Sequence, residues 1–220
     1  MAIRRLVTPA PDDEWGPLPP HTTPPARGRG WVWLERAFLL VGVILLGYYG
    51  YVSVEARLYQ ALENRELDAI LASAPVHPES PSPLRKAAPL AGSTLGRIEI
   101  PRLGVSAVIR AGTDARTLRL AVGHIGGTAL PGEAGNIGLA GHRDTFFRRL
   151  RDIEPDDEIR VVTPEGTFSF RVERTTIVEP RDTWVLDPTA GPTLTLVTCY
   201  PFTFVGSAPQ RFVVRAIARS

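Results

Sequence analysis

The chain contains one cysteine, Cys199, in the run TLVTCYPF. A lone cysteine forms no internal disulfide, and no metal-type cysteine spacing is present. Its bland reading is a small buried hydrophobe, and its active reading is a nucleophilic thiol. A thiol nucleophile needs an acid or base partner within hydrogen-bond reach, and imidazole is the usual one. His142, in GNIGLAGHRDTFF, is the candidate. A guanidinium beside the sulfur would favour the thiolate or bind a substrate carbonyl and its developing oxyanion. Arg211 and Arg215, in QRFVVRAIA, are the candidates for that role. Set singly, the histidine reads as a structural or surface residue, and the arginine as one pairing with an acid at a barrel edge.

The elements around these residues place them well for chemistry. Read as a strand, Thr193, Thr195, Val197 and Cys199 share one face, and Leu194, Leu196 and Thr198 share the other. Pro201 cannot donate to a ladder, so the strand stops beside the thiol. Asn136 to Ala140 reads as another strand broken by Gly141, which puts His142 at a strand-to-loop junction. In QRFVVRAIA, Arg211 and Arg215 project from one face, with Phe212 and Val214 on the other. GRIEIPRLGVSAVIRAG shows short β-rich runs broken by Pro101 and Gly104. DEIRVVTPEGTFSFRVERTTIV reads as two alternating strands joined at Thr163–Gly166, with Gly166 free to take a positive φ. The segment from Ala111 to Gly135 is less regular and predicts a short helical turn. Many short strands with turn signals argue a β-barrel or sandwich.

Before this domain the texture differs. Residues 37–54, AFLLVGVILLGYYGYVSV, carry no charge and are long enough to cross a bilayer, with Trp31 and Trp33 on one flank and Tyr48, Tyr49 and Tyr51 on the other. Arg27, Arg29 and Arg36 precede the run, and Glu55 and Arg57 follow it, so the positive-inside rule puts the N-terminus in the cytoplasm and the bulk of the chain outside. Beyond it, Leu58 and Leu62, then Leu67, Ile70 and Leu71, suggest an amphipathic stalk helix. PVHPESPSPLRKAAPLAGS reads as a spacer in which His77 is solvated. The expected organisation is a Pro-rich cytoplasmic tail at 1–36, a transmembrane anchor at 37–54, a stalk helix and linker at 55–93, and a catalytic domain at 94–220. With 25 Lys and Arg against 23 Asp and Glu, mixed along the chain, the charge pattern gives no support to nucleic-acid binding.

The ordered motifs carry a resemblance. AGHRDTFF is similar to the histidine motif of sortases, TLVTCYPF matches their TLxTC cysteine motif, and QRFVVRA places an arginine on the next strand. The wider phrase GHIGGTALPGEAGNIGLAGHRDTFFR resembles class D sortases. The similarity covers roughly residues 94–220. It implies a mainly β fold: a closed eight-stranded sortase-type barrel with short helices, preceded by an N-terminal transmembrane helix. It implies a catalytic triad of Cys199, His142 and Arg211, while Arg215 does not match the motif position. Cys199 would attack a peptide carbonyl in a sorting signal, form a thioester, and pass the acyl group to an amine. The implied partners are secreted proteins carrying a C-terminal sorting signal, an amine acceptor (a cell-wall precursor or a pilin-like lysine) and the plasma membrane. No cofactor is implied.

Three further residues belong to this reading. Thr198 is an accessory donor by resemblance. His124 either lines the groove or fixes its loop by a hydrogen bond. Asp144 either orients His142 or caps the helical turn suggested by TFFRRLRDI. His124, His142 and Asp144 lack ligand-type spacing, so no metal site is read from them. With ordinary values near 8.5 for a thiol and 6.5 for imidazole, the ion pair is only about one part in a hundred of the neutral pair. That predicts a slow enzyme. Two other readings stand beside the transpeptidase: a thiol peptidase using water as acceptor, and a non-catalytic, membrane-tethered peptide-binding module.

Overall fold

A computed structural model describes residues 29–73, 89–204 and 206–219. The Pro-rich tail up to residue 28 and the spacer at 74–88, with His77, lie outside the described residues. The chain divides into two compact units, Met1–Gly47 and Tyr48–Ser220. In the first, residues 30–47 are helical, with Trp33, Phe38 and Leu46 exposed. They belong to α1 (Arg29–Ser73), the one helix among the described residues long and apolar enough to cross a membrane.

The second unit holds the barrel. Its strands are β1 (Thr94–Ile100), β2 (Val105–Ala111), β3 (Val122–His124), β4 (Asn136–Ala140), β5 (Glu158–Thr163), β6 (Gly166–Val178), β7 (Thr193–Tyr200) and β8 (Gln210–Ala218). They close in the order β1-β2-β3-β4-β7-β8-β6-β5. The β2·β3 and β4·β7 pairs are parallel and the rest antiparallel. This is the closed eight-stranded barrel that the family resemblance implies, and it decides between the barrel and the sandwich that the strand pattern left open. The expected breaks are present: Pro101–Leu103 forms a 3-10 turn, Gly104 ends it at φ 58°, and Gly166 sits at φ 144° in the β5–β6 hairpin. The short helical turn is α2 (Ala115–Leu120), capped by Asp114, which accepts from the backbone N–H of Arg116 and Thr117.

The strand alternation sets the two faces. Ile98, Ile109, Ile137, Leu139, Ile159, Phe170, Leu194, Leu196 and Val214 are buried inside the barrel. Each of them can remove apolar area worth about 1.5–3 kcal/mol from water. Phe147 and Leu150, from the segment after β4, join the same core. A second, outer cluster packs Val178 and Val213 against Val185, with Val197 and Leu186 beside them.

The stalk differs from the expected amphipathic helix. Leu58 and Leu62 are exposed, while Leu67 is buried. The helix holds the barrel through polar contacts. The Gln60 side-chain amide donates to the Leu120 carbonyl at 2.7 Å and accepts from Val108 N–H at 2.9 Å. Strand β3 begins its pairing only at Ile109, so Val108 needs a partner from elsewhere. Thr94 donates to Glu63 and Arg97 to Asp68 on the same helix.

A buried carboxylate ties the β1–β2 corner to the start of β5. Asp157 accepts from the Arg102 guanidinium through both oxygens and from the Glu154 N–H. The hydrogen bond from Arg102 holds its carboxyl below the usual carboxylate range. A depressed folded value contributes stability above the ordinary pKa, and that stability is lost as pH falls through the folded value. Unfolding monitored from neutral pH to about pH 3 should therefore show a steep acid limb. Asp157→Asn should lower the midpoint at neutral pH and flatten that limb. An unchanged limb in the variant would contradict the assignment.

Candidate active site

Three strands bring the expected residues to one face. Strands β4 and β7 run parallel, with Asn136 opposite Thr193 and Ala140 opposite Val197. The pairing continues one residue further, because Gly141 N–H donates to the Val197 carbonyl at 3.2 Å. The Thr198 hydroxyl then donates to the Gly141 carbonyl at 2.7 Å. His142 and Cys199 are thus the next residues on neighbouring strands, both in the outward-facing alternation. On the other side of β7, Cys199 lies directly opposite Arg211 of β8. Side chains opposite each other in an antiparallel pair share a face, with Cβ atoms about 4.5–5.5 Å apart. Arg215 pairs with Thr195, further down the same face.

His142 is exposed, while Cys199 and Arg211 are half-buried. Among the described residues no hydrogen bond links the three. Arg211 Nη1 donates to the carbonyls of Ala208 and Gln210, at 3.2 and 2.9 Å. Catalytic hydrogen bonds often tighten only in the complex with substrate.

Local packing fixes the turn that carries His142. Phe147 N–H donates back to the His142 carbonyl at 3.0 Å, and Phe147 is fully buried. Its ring lies where a Cβ on Gly141 would stand, at 2.7 Å, so only glycine fits there. Asp144 makes no hydrogen bond among the described residues and lies within a run of turns at 143–147. The expected cap is absent: the 3-10 helix starts later, at Arg148, with Phe147 at its N-cap and no capping side chain. The physical reason is the buried Phe147, which holds the chain in a wider turn.

The structure places His124 inside the fold rather than at the surface, 4% exposed. Its Nε2 lies 2.9 Å from the Ala129 carbonyl and 3.2 Å from the Thr128 hydroxyl. That hydroxyl donates to the Ile125 carbonyl and accepts from Gly138 N–H, so the histidine is tied to the loop leading into β4.

Two residues outside the sequence reading shape the site. Arg143, next to His142, donates to the carbonyls of Pro201, Phe204 and Gly206 at 2.9, 2.6 and 3.1 Å. It also lies 5.9 Å over the Phe204 ring. It therefore clasps the histidine turn to the β7–β8 connection. The only sequence signal was its adjacency to His142. Asn136 accepts from the buried Thr195 hydroxyl and donates to the carbonyls of Val185 and Asp187. It pins the β6–β7 connection over the outer face of β4 and β7. There Trp184, Val185, Thr195, Val213 and Arg215 line a shallow cleft on the same face as Cys199.

The Thr198 hydroxyl gives a direct test of this scaffold. Thr198→Val leaves the buried Gly141 carbonyl without its side-chain donor and should cost about 1–3 kcal/mol in denaturant unfolding. Thr198→Ser keeps the donor and should recover most of that loss. Equal stability of the Val variant and the parent would remove Thr198 from the positioning of His142.

Known proteins resemble this chain in sequence and fold. The sortase domain family matches residues 98–218. Sortase D of Bacillus subtilis is 33% identical over 189 residues, which span 80% of this chain and 92% of that protein. A Clostridium perfringens sortase D5 transpeptidase of known structure matches with a TM-score of 0.54 at 31% identity, over 59% of this chain and 81% of its own. The SrtA sortase of Actinomyces oris gives a TM-score of 0.55 at 28% identity, over 65% and 88% of the two chains. A barrel with this strand order, matched in sequence over most of its length, leaves one assignment: the chain belongs to the sortase family of cysteine transpeptidases, and the class D resemblance read from its motifs holds.

Proposed function

We propose that Cys199 is the acylated nucleophile of a membrane-anchored transpeptidase, with His142 and Arg211 as its partners. The observation that supports this most directly is the shared face: His142 follows β4, Cys199 ends β7, and Arg211 opens β8 directly opposite the thiol. In this reading the Cys199 thiolate attacks the carbonyl carbon of a peptide bond in the sorting signal. A C–S bond forms, and the carbonyl oxygen takes the negative charge. Arg211 stabilises that oxyanion. The C–N bond then breaks, and the His142 imidazolium gives its proton to the leaving amine. The thioester remains on Cys199. Neutral His142 next takes a proton from the incoming amine, whose nitrogen attacks the thioester carbon and releases the thiolate.

The substrates in this reading are secreted proteins with a C-terminal sorting signal, and the acceptor is an amine of the cell wall or of a pilin-like lysine. The uncharged run at 37–54 would span the plasma membrane, with the tail in the cytoplasm and the barrel outside. The apolar helix α1 supports an anchor of this kind.

The chemistry is tested with the full chain, a peptide library and an amine acceptor, the products being weighed by mass spectrometry. Transfer of the acyl group to the amine is expected; hydrolysis alone would replace the transpeptidase by a thiol peptidase. Cys199→Ala should abolish the thioester adduct, and unchanged turnover would end its assigned role. His142→Ala should slow turnover by about 10²–10⁴-fold. Arg211→Ala should slow it by about 10²–10³-fold.

Thiolate and imidazolium are opposite protonation states, so the rate should rise as the thiol ionises and fall as the imidazole loses its proton. A bell-shaped kcat/KM profile against pH follows. A flat profile from mildly acidic to strongly basic pH would contradict the pair.

A further inference from the structure

A groove in the barrel unit is lined by none of Cys199, His142 and Arg211. It has a volume of about 580 Å³, between the stalk part of α1 and the barrel, and Arg57, Arg119, Arg148 and Arg149 line it together with Val105 and Phe146. Volumes of roughly 300–1,000 Å³ are typical of small-molecule sites. Among the described residues, four guanidiniums gather here with one carboxylate in ion-pair distance, Glu55, at 3.8 Å from Arg119. Arg149 donates to the neutral Leu103 carbonyl at 2.7 Å, which leaves its charge uncompensated. Among the described residues the guanidiniums of Arg57 and Arg148 have no hydrogen-bond or ion-pair partner, the Arg148 backbone N–H alone donating to the Thr145 carbonyl. The groove thus offers a surplus of positive charge beside apolar surface.

Its place along the helix narrows the occupant. Val54 closes the uncharged run, and Arg57 follows three residues later. At about 1.5 Å of rise per residue, Arg57 stands roughly 5 Å beyond the hydrocarbon boundary. The headgroup layer of a bilayer leaflet is about 5–7 Å deep. Juxtamembrane arginines at that depth attract anionic lipids, by about 1 kcal/mol for each charge. A zwitterionic headgroup carries its own cation and gains much less.

We propose that this groove docks the headgroup phosphate of an anionic phospholipid in the outer leaflet, with Val105 and Phe146 against the glycerol backbone. The proposal rests on the membrane-spanning reading of residues 37–54. Docking would seat the barrel on the bilayer surface. It would also brace the turn that carries His142, because Phe146 belongs to that turn and Phe147 closes it onto the His142 carbonyl.

The test uses the full chain in nanodiscs of phosphatidylcholine, with or without phosphatidylglycerol, and native mass spectrometry of the lipids it retains. The parent should retain phosphatidylglycerol in preference to phosphatidylcholine. The double variant Arg57→Gln, Arg148→Gln should weaken that preference by about 30-fold, as expected for two surface charges. Its amine-transfer rate on a soluble peptide in phosphatidylcholine discs, equal to the parent's, shows that the barrel is intact. Insertion of both proteins with the same lipid preference would overturn the docking site and leave the anchor standing. Failure of the chain to enter discs of either composition would take down the anchor and the docking site together.

Discussion

The parallel pairing of β4 with β7 is the constraint on which the site depends. The two strands are far apart in sequence, yet their register decides which side chains meet at the barrel's end. With Ala140 opposite Val197, the next residues outward are His142 and Cys199. A slip of one residue would turn either strand's alternation over and send one of these side chains into the core. The register is held from both faces. Ile137, Leu139, Leu194 and Leu196 are fully buried on the inside. On the outside the buried Thr195 hydroxyl donates to Asn136 at 2.7 Å. The apolar alternation and one polar bond therefore specify the same pairing.

The ends of these strands are stiffened where the ladder stops. Thr198 and Gly141 add a side-chain rung just past the last strand residue of β4. Phe147 fills the space that any larger residue at 141 would need. Arg143 then joins the histidine turn to the β7–β8 connection through three carbonyls. Reactive groups on strand ends of a packed barrel are held more closely than groups on free loops, which is what a transfer reaction through short-lived geometry requires.

Much of this was legible in the sequence, and the reasons differ by element. In TLTLVTC and GNIGLAG the two-residue alternation and the breakers Pro201 and Gly141 specify strand, face and endpoint, so the positions of Cys199 and His142 could be read directly. Arg211 opposite Cys199 also follows from alternation, but its exact partner depends on the β7–β8 register, which no local pattern encodes. Strand β3 escaped because Val122–His124 is too short to show a period. Leu58 and Leu62 of the stalk are exposed against their apolar spacing because hydrophobicity marks a contact face only when the contact is apolar. Here Gln60, Glu63 and Asp68 make the contact with hydrogen bonds. Arg143 was invisible for a related reason: its acceptors are backbone carbonyls, which carry no residue identity.

The contacts of Arg211 bear on its proposed role at an oxyanion. Only Nη1 is engaged, shared between the carbonyls of Ala208 and Gln210. Among the described residues Nε and Nη2 have no acceptor. The planar group is therefore held at one corner, with its remaining donors free. An arginine left free of partners would lose side-chain entropy when a substrate arrived. An arginine paired with a carboxylate would have to give up a charge-assisted bond. Two neutral carbonyls on its own loop fix its orientation without neutralising its charge. That is the state from which a donor stabilises developing charge with least reorganisation, and it joins Arg211 to Cys199 through the strand pairing that opposes them.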